Sequence, residues 1–431
     1  MIDDISRRRL LTGGAALGAT ASIVALAGCS DDVEEPPVDI DEQAALEIAD
    51  IDRPDDIEAF PIDVGDEIVE ARIERVESLL ESIPDDLKGE IPNEAVRDHI
   101  ESRRDRALAA LEDDRPSNYA RLSRLRSART LAAEAEGSYA VASEDRTPAA
   151  VEDELRGLEG DFEALVSDLS WTGDDPRDAV VVYDAIEGWL DDAERALEEA
   201  DRERPGEPDF ERVGYLTVRR ERTLAAIEDA EYVLDRQADR GDRSLEGAFV
   251  EVVSSRLEDH REQIEEPPTT VEDATELLFG EPTDSSVSRG VARQLIWAPE
   301  QSHERAREYL ESNRPARAVL EVLTLESGLL AIESVESDEM TVERPEDAAD
   351  IEAAKRTAIE AIETAAFAAE EPYLTGQLLE VARFDVRRAD ETLEDYHSES
   401  DATLATANYL VGTVRARVAE EATERLVASF S

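Results

Sequence analysis

Cysteine occurs once in this chain, at position 29, so no intrachain disulfide framework and no multi-cysteine metal site can form. Lysine occurs twice, at Lys88 and Lys355, and the other 44 of the 46 basic residues are arginine. Histidine is confined to His99, His260, His303 and His397, and tryptophan to Trp171, Trp189 and Trp297. Beyond residue 28 no apolar run approaches the ~20 residues needed to cross a bilayer. Alternating β-branched residues are missing, which argues against a sheet. There is no glycine-rich phosphate loop, nucleophile elbow, Cys/His zinc pattern or calcium-loop spacing. No basic stripe stands out, which argues against nucleic-acid binding.

Acidic residues are abundant instead. Asp and Glu total 107 and the formal net charge is −61. In ordinary salt this much like charge opposes compaction. At molar salt the Debye length falls to ~3 Å and the repulsion is largely screened. Scarcity of lysine also removes long apolar stems from the surface. This composition resembles that of proteins from extremely halophilic archaea. Against such a background, clustered carboxylates read as solvated faces rather than as calcium or acid/base sites.

The N-terminus carries the most specific signals. Ser6-Arg7-Arg8-Arg9-Leu10-Leu11 precedes a mildly apolar, Gly/Ala-rich stretch from Gly13 to Ala25, which ends in Leu26-Ala27-Gly28-Cys29. The pair Arg7-Arg8 with the following leucines resembles a twin-arginine export signal, and Leu26-Ala27-Gly28-Cys29 resembles a lipobox. Together they resemble a haloarchaeal twin-arginine-exported lipoprotein. That resemblance implies a signal over 1–28, lipidation at Cys29, folding before export, and a lipid-anchored location on the extracytoplasmic face of the cell membrane. A short transmembrane anchor over residues 10–28 is the alternative, but the run is too rich in Gly and Ala to favour it. Loss of residues 1–28 removes three Arg and two Asp and leaves a charge of −62.

Residues 29–62 are acidic and contain Pro36, Pro37, Pro54 and Pro61, and are expected to form an extended tether. From about Gly65 onward the pattern is helical. Val69, Ile73, Val76, Leu80 and Ile83 step by three and four, as do Val151, Leu155, Leu158, Phe162, Leu165 and Leu169. Breaks at Pro84, Pro116, Pro148, Pro176, Pro205, Gly241, Pro267, Pro315, Pro345, Pro372 and His397–Asp401 divide the chain into about twelve helices. These form four tandem groups of three. Arg-Ala followed by Leu-Glu recurs late in the middle helix of groups one, three and four: Arg106 to Glu112, Arg305 to Glu311 and Arg388 to Glu394. The expected architecture is all-α, with four three-helix units arranged either as a row of bundles or as two six-helix halves. The match between groups one and three favours halves over 63–240 and 241–431.

Two patterns bear on chemistry. Glu300-x-x-His303 and Glu394-x-x-His397 have the i, i+3 spacing that sets two ligands on one helical face, as in di-metal bundles. Glu is so common here that the spacing arises readily by chance. Arg121, Arg124 and Arg129 on one helix, with Arg219 and Arg222 on its counterpart, are candidates to grip an anion, or equally to pair with neighbouring acidic helices. Trp189 is expected in the core, Trp171 at a bundle end, and Trp297-Ala298-Pro299 at a helix break. No cofactor is implied and no constellation points to catalysis. The sequence is therefore expected to encode a lipid-anchored helical repeat protein that binds an envelope partner as a scaffold. The alternative is a ligand- or metal-binding protein, with an enzymatic role left open, whose site lies between the two halves.

Overall fold

Alanine, leucine, glutamate and arginine, all strong helix formers, build a chain whose regular structure is almost wholly helical. The computed structural model describes residues 38–430 except 55–56, 58–59, 113–116, 145, 203–207, 265–267, 281–284 and 338–341, and without the side chains of Glu144 and Glu262. Arg7, Arg8, Leu26, Ala27, Gly28 and Cys29, with the signal they compose, lie outside the described residues.

The described residues contain sixteen α-helices, and extended pairing is limited to two isolated bridges. A short α1 (Glu42–Ala49) precedes the first unit, α2 (Asp66–Glu81), α3 (Glu94–Leu111) and α4 (Asn118–Glu144). The second unit is α5 (Pro148–Asp168), α6 (Pro176–Ala200) and α7 (Asp209–Ala238). The third comprises α8 (Glu246–Asp259), α9 (Arg261–Ile264), α10 (Val271–Phe279), α11 (Ser286–Leu295), α12 (Ala298–Glu311) and α13 (Pro315–Glu336). The fourth is α14 (Ala348–Ala368), α15 (Pro372–Glu394) and α16 (Glu399–Val427).

Starts are set locally. Pro148, Pro176, Pro315 and Pro372 stand in first turns, where a missing N–H costs nothing. Thr147, Asp175 and Asp347 cap their helices by accepting backbone N–H groups. In the first, second and fourth units the last long helix, α4, α7 or α16, is a spine against which the other two lie, and in the third α8 and α12 lie on α13 while α11 packs on α16. Spine α4 packs on α7 and α13 on α16, and the two halves meet chiefly where α6 crosses α13. At the α4–α7 crossing a Cβ on Gly137 would lie 2.6 Å from Thr217 Oγ1 and 3.2 Å from the Gly214 backbone, so the contact requires glycine.

The structure corrects the expected twelve helices in two places. Residues 268–314 form three helices rather than one. Gly280 ends α10 with a φ of 74°, Ser285 caps α11, and Pro299 starts α12 after Trp297. The second correction concerns the tether. The part of 29–62 that is described, from Val38 onward, is a docked strap. Val38, Ala45, Ile48, Phe60 and Ile62 are buried in the main core, because these scattered apolar side chains find a groove to fill. That core runs from α1 through α6, α7 and the whole second half, while the first unit keeps a separate one around Val76, Ile100 and Ala132. The two halves thus share a continuous interior.

Candidate functional site

Three of the five candidate arginines, Arg129, Arg219 and Arg222, are engaged in internal ion pairs. Arg129, almost fully buried on α4, donates through Nε to Glu221 Oε2 and through Nη1 to Glu228 Oε2, both at 2.7 Å. Arg72 on α2 pairs with Glu228 at 2.7 Å and with Asp229 at 2.9 Å, and Arg75 and Arg220 also reach Glu221. Burial pushes the Glu221 carboxyl up, but Arg75 and Arg129 outweigh it and hold the group below the usual carboxylate range. Arg219 pairs with Glu199 at 2.7 Å and lies over the Tyr215 ring, and Arg222 pairs with Asp192 at 2.9 Å. Arg124 is exposed and Arg121 half-buried. A buried guanidinium is tolerated only with such partners, so the network welds α2, α4 and α7 together.

The expected location between the halves is also filled. Glu187 on α6 is fully buried and accepts from Trp171 Nε1 at 2.7 Å, Ala316 N at 3.2 Å and Arg317 N at 2.8 Å. Its carboxyl therefore caps the positive start of α13, and Asp191 binds Arg314 at 2.8 Å and also Arg317 beside it. Burial pushes the Glu187 carboxyl up to about 8 and that of Asp184 on the same face to about 6.

The two Glu-x-x-His motifs are not brought into a metal centre. No group of three or more His, Cys, Asp or Glu side chains among the described residues is placed to hold a metal ion. Glu394 is exposed and 3.7 Å from Arg53, and His397 lies in the exposed turn after α15, its backbone N–H donating to Asp401. His303 is half-buried on α12, whereas Glu300 faces a cavity.

That cavity is the main departure from the three-helix plan. It occupies about 560 Å³ among α9, α10, the start of α12 and the end of α13, with Arg425 of α16 on its wall. Close contact at one end holds it open. A Cβ on Gly328 of α13 would lie 3.1 Å from Pro299, so α12 begins directly on α13. Trp297 Nε1 donates to Pro268 O at 3.1 Å and fixes the adjoining loop. Ile264, Ile296, Leu329 and Ile332 supply apolar walls. At the α8 end His260 sits between Glu326 Oε1 at 2.7 Å from Nε2 and Gln263 Oε1 at 2.9 Å from Nδ1. The Glu326 hydrogen bond holds the imidazole above its ordinary value. Both ring nitrogens of His260 thus have a polar partner, and the buried Glu326 carboxylate favours the protonated ring. Volume, apolar lining and a few fixed polar groups are the ordinary attributes of a small-molecule site.

Sequence reasoning missed a second cluster, which docks the strap. Lys355 on α14 has 0% exposure. Its ammonium donates to Ile48 O and Ala49 O and pairs with Asp390 Oδ1, each at 2.9 Å. Asp390 also accepts from Arg53 Nε at 2.7 Å and from the Tyr409 hydroxyl at 2.6 Å. A cation at the last carbonyls of α1 opposes the negative helix end. Burial lowers the Lys355 pKa even though Asp390 pulls the other way. Further on, the strap crosses to the first half. Phe60 stacks on Tyr119 at 3.8 Å between ring centres, and Arg240 donates to Pro61 O at 2.6 Å. The available signal was Lys355 itself, a rare lysine in the stripe Ile351, Ala358, Ile362.

Residues 67–244 match a domain of unknown function (DUF8262), and residues 245–428 match a second (DUF8264). The two matches abut at the α7–α8 connection, and both begin after the strap. No curated protein and no solved structure matches the chain.

Proposed function

We propose that this protein is a lipid-anchored component of the outer face of the cell membrane of an extremely halophilic archaeon, working by binding rather than by catalysis. Its location rests on Arg7-Arg8 and on Leu26-Ala27-Gly28-Cys29. The role is carried by one observation: the third unit departs from the three-helix plan and opens an apolar-walled cavity there. A purely structural repeat gains nothing from breaking one helix into three, since each break adds unpaired helix-end groups. The welded first half and the docked strap suit a rigid body that presents this site, and its outer surface is left for an envelope partner. The second reading expected from sequence, ligand binding, is favoured by the same cavity, but within the second half rather than between the halves.

Replacing Cys29 with serine tests the anchoring. In cells grown and fractionated in native salt, Cys29→Ser should appear in the medium or as unprocessed precursor. Unchanged retention of a processed form in the membrane fraction would remove the lipobox from the account.

A further inference from the structure

The charges around the cavity of the third unit are unevenly satisfied. Both basic side chains on its wall are already engaged: His260 with Glu326, and Arg425 with Glu421 at 2.7 Å. The three carboxylates on its rim, Glu300, Glu333 and Glu336, have no ion-pair partner among the described residues. Glu333 and Glu336 sit one turn apart on the last turns of α13, where the helix end adds negative potential. Burial, and then the neighbouring Glu333, hold the Glu336 carboxyl above its usual range, as happens when a carboxylate lacks a counter-charge. Below the rim the walls are aliphatic, and Leu277 at the mouth is 53% exposed.

We propose that this cavity binds an organic cation with an apolar body, its ammonium or guanidinium head among Glu300, Glu333 and Glu336 and its hydrocarbon against Ile296, Leu329 and Ile332. The assignment rests on the binding role proposed above and specifies its ligand class. Charge complementarity selects the head: an anionic head would meet three unpaired carboxylates. The aliphatic wall selects the body: a small inorganic cation would leave the apolar surface wet and gain nothing from it. Direct contact with the carboxylates survives molar salt better than long-range attraction does, because screening acts over the Debye length.

The test uses the full chain in molar KCl with n-hexylammonium, n-hexanoate and n-hexanol, followed by calorimetry and ligand-observed NMR. Hexylammonium should bind saturably, and hexanoate should bind at least about tenfold more weakly, a difference calorimetry resolves. Leu329→Trp, which fills the cavity, should abolish hexylammonium binding. The double variant Glu333→Gln/Glu336→Gln changes only the polar ends of two rim side chains and should weaken it about tenfold. Equal binding of all three probes, lost in Leu329→Trp, would overturn the cation assignment while leaving a binding cavity. No saturable binding of any probe, or binding indifferent to both variants, would overturn the assignment together with the role of the cavity.

Discussion

At the scale of single residues, buried charge organises this protein. Lys355, Arg129, Glu187 and Glu221 are each essentially inaccessible, and each meets two or more partners. Removing one member of such a set leaves the others buried and unpaired, which is the costly case. Glu187 also makes stability depend on pH. Its carboxyl is raised to about 8 by burial, against ~4.3 in an unfolded chain. Between those values the folded state holds the proton and the unfolded state does not. Stability therefore falls as pH rises from about 4.5 through 8. Glu187→Gln removes that dependence, and its melting temperature should change less than that of the parent between pH 5 and 8. It should also be less stable throughout, by about 1–3 kcal/mol, because an amide cannot accept from Trp171, Ala316 and Arg317 together. Thermal melts across that pH range in constant salt read both effects.

At the scale of elements, much of the plan was legible and the exceptions have identifiable causes. Pro148, Pro176, Pro315 and Pro372 mark helix starts because their fixed φ suits a first turn, and each begins a helix in the structure. Gly280 and Ser285 between Val271 and Leu295 carry ordinary stop and start chemistry, and no apolar residue falls between Phe279 and Val287, so this break was legible in the sequence. The strap was illegible. Its prolines and acidic residues read as a tether, while Val38, Ile48 and Phe60 are too sparse to form a period and gain meaning only against α14–α16 and Tyr119. The cavity was half visible: Glu300 and the Trp297–Pro299 break were noticed, but His260 and Glu326 come from helices whose meeting no local pattern encodes. Gly137 is likewise invisible until α4 and α7 cross. Gly137→Ala should cost about 1–3 kcal/mol by overpacking that crossing, whereas the same change at Gly157, where nothing lies near, should be neutral or slightly stabilising. Chemical denaturation in molar salt distinguishes them.

At the scale of the whole molecule, the chain carries a net charge of −61 and its two halves share one interior. Lowering salt from molar to ~0.1 M lengthens the Debye length from ~3 to ~10 Å and revives repulsion between acidic faces. Helicity and melting temperature should both drop, by circular dichroism, and a response indifferent to salt would show that the charge is not an adaptation to it. The strap acts at this same scale. It joins the fourth unit at Val38 and Lys355 and reaches the first at Phe60, so it bridges the body like a stitch. Tension applied to the chain ahead of Val38 meets the Asp39–Glu346 hydrogen bond to the second half first and the α1 dock next. Should both give way, the segment between Val38 and Phe60 spans roughly 70 Å at full extension. Under load the strap would lengthen before the helical units are pulled directly.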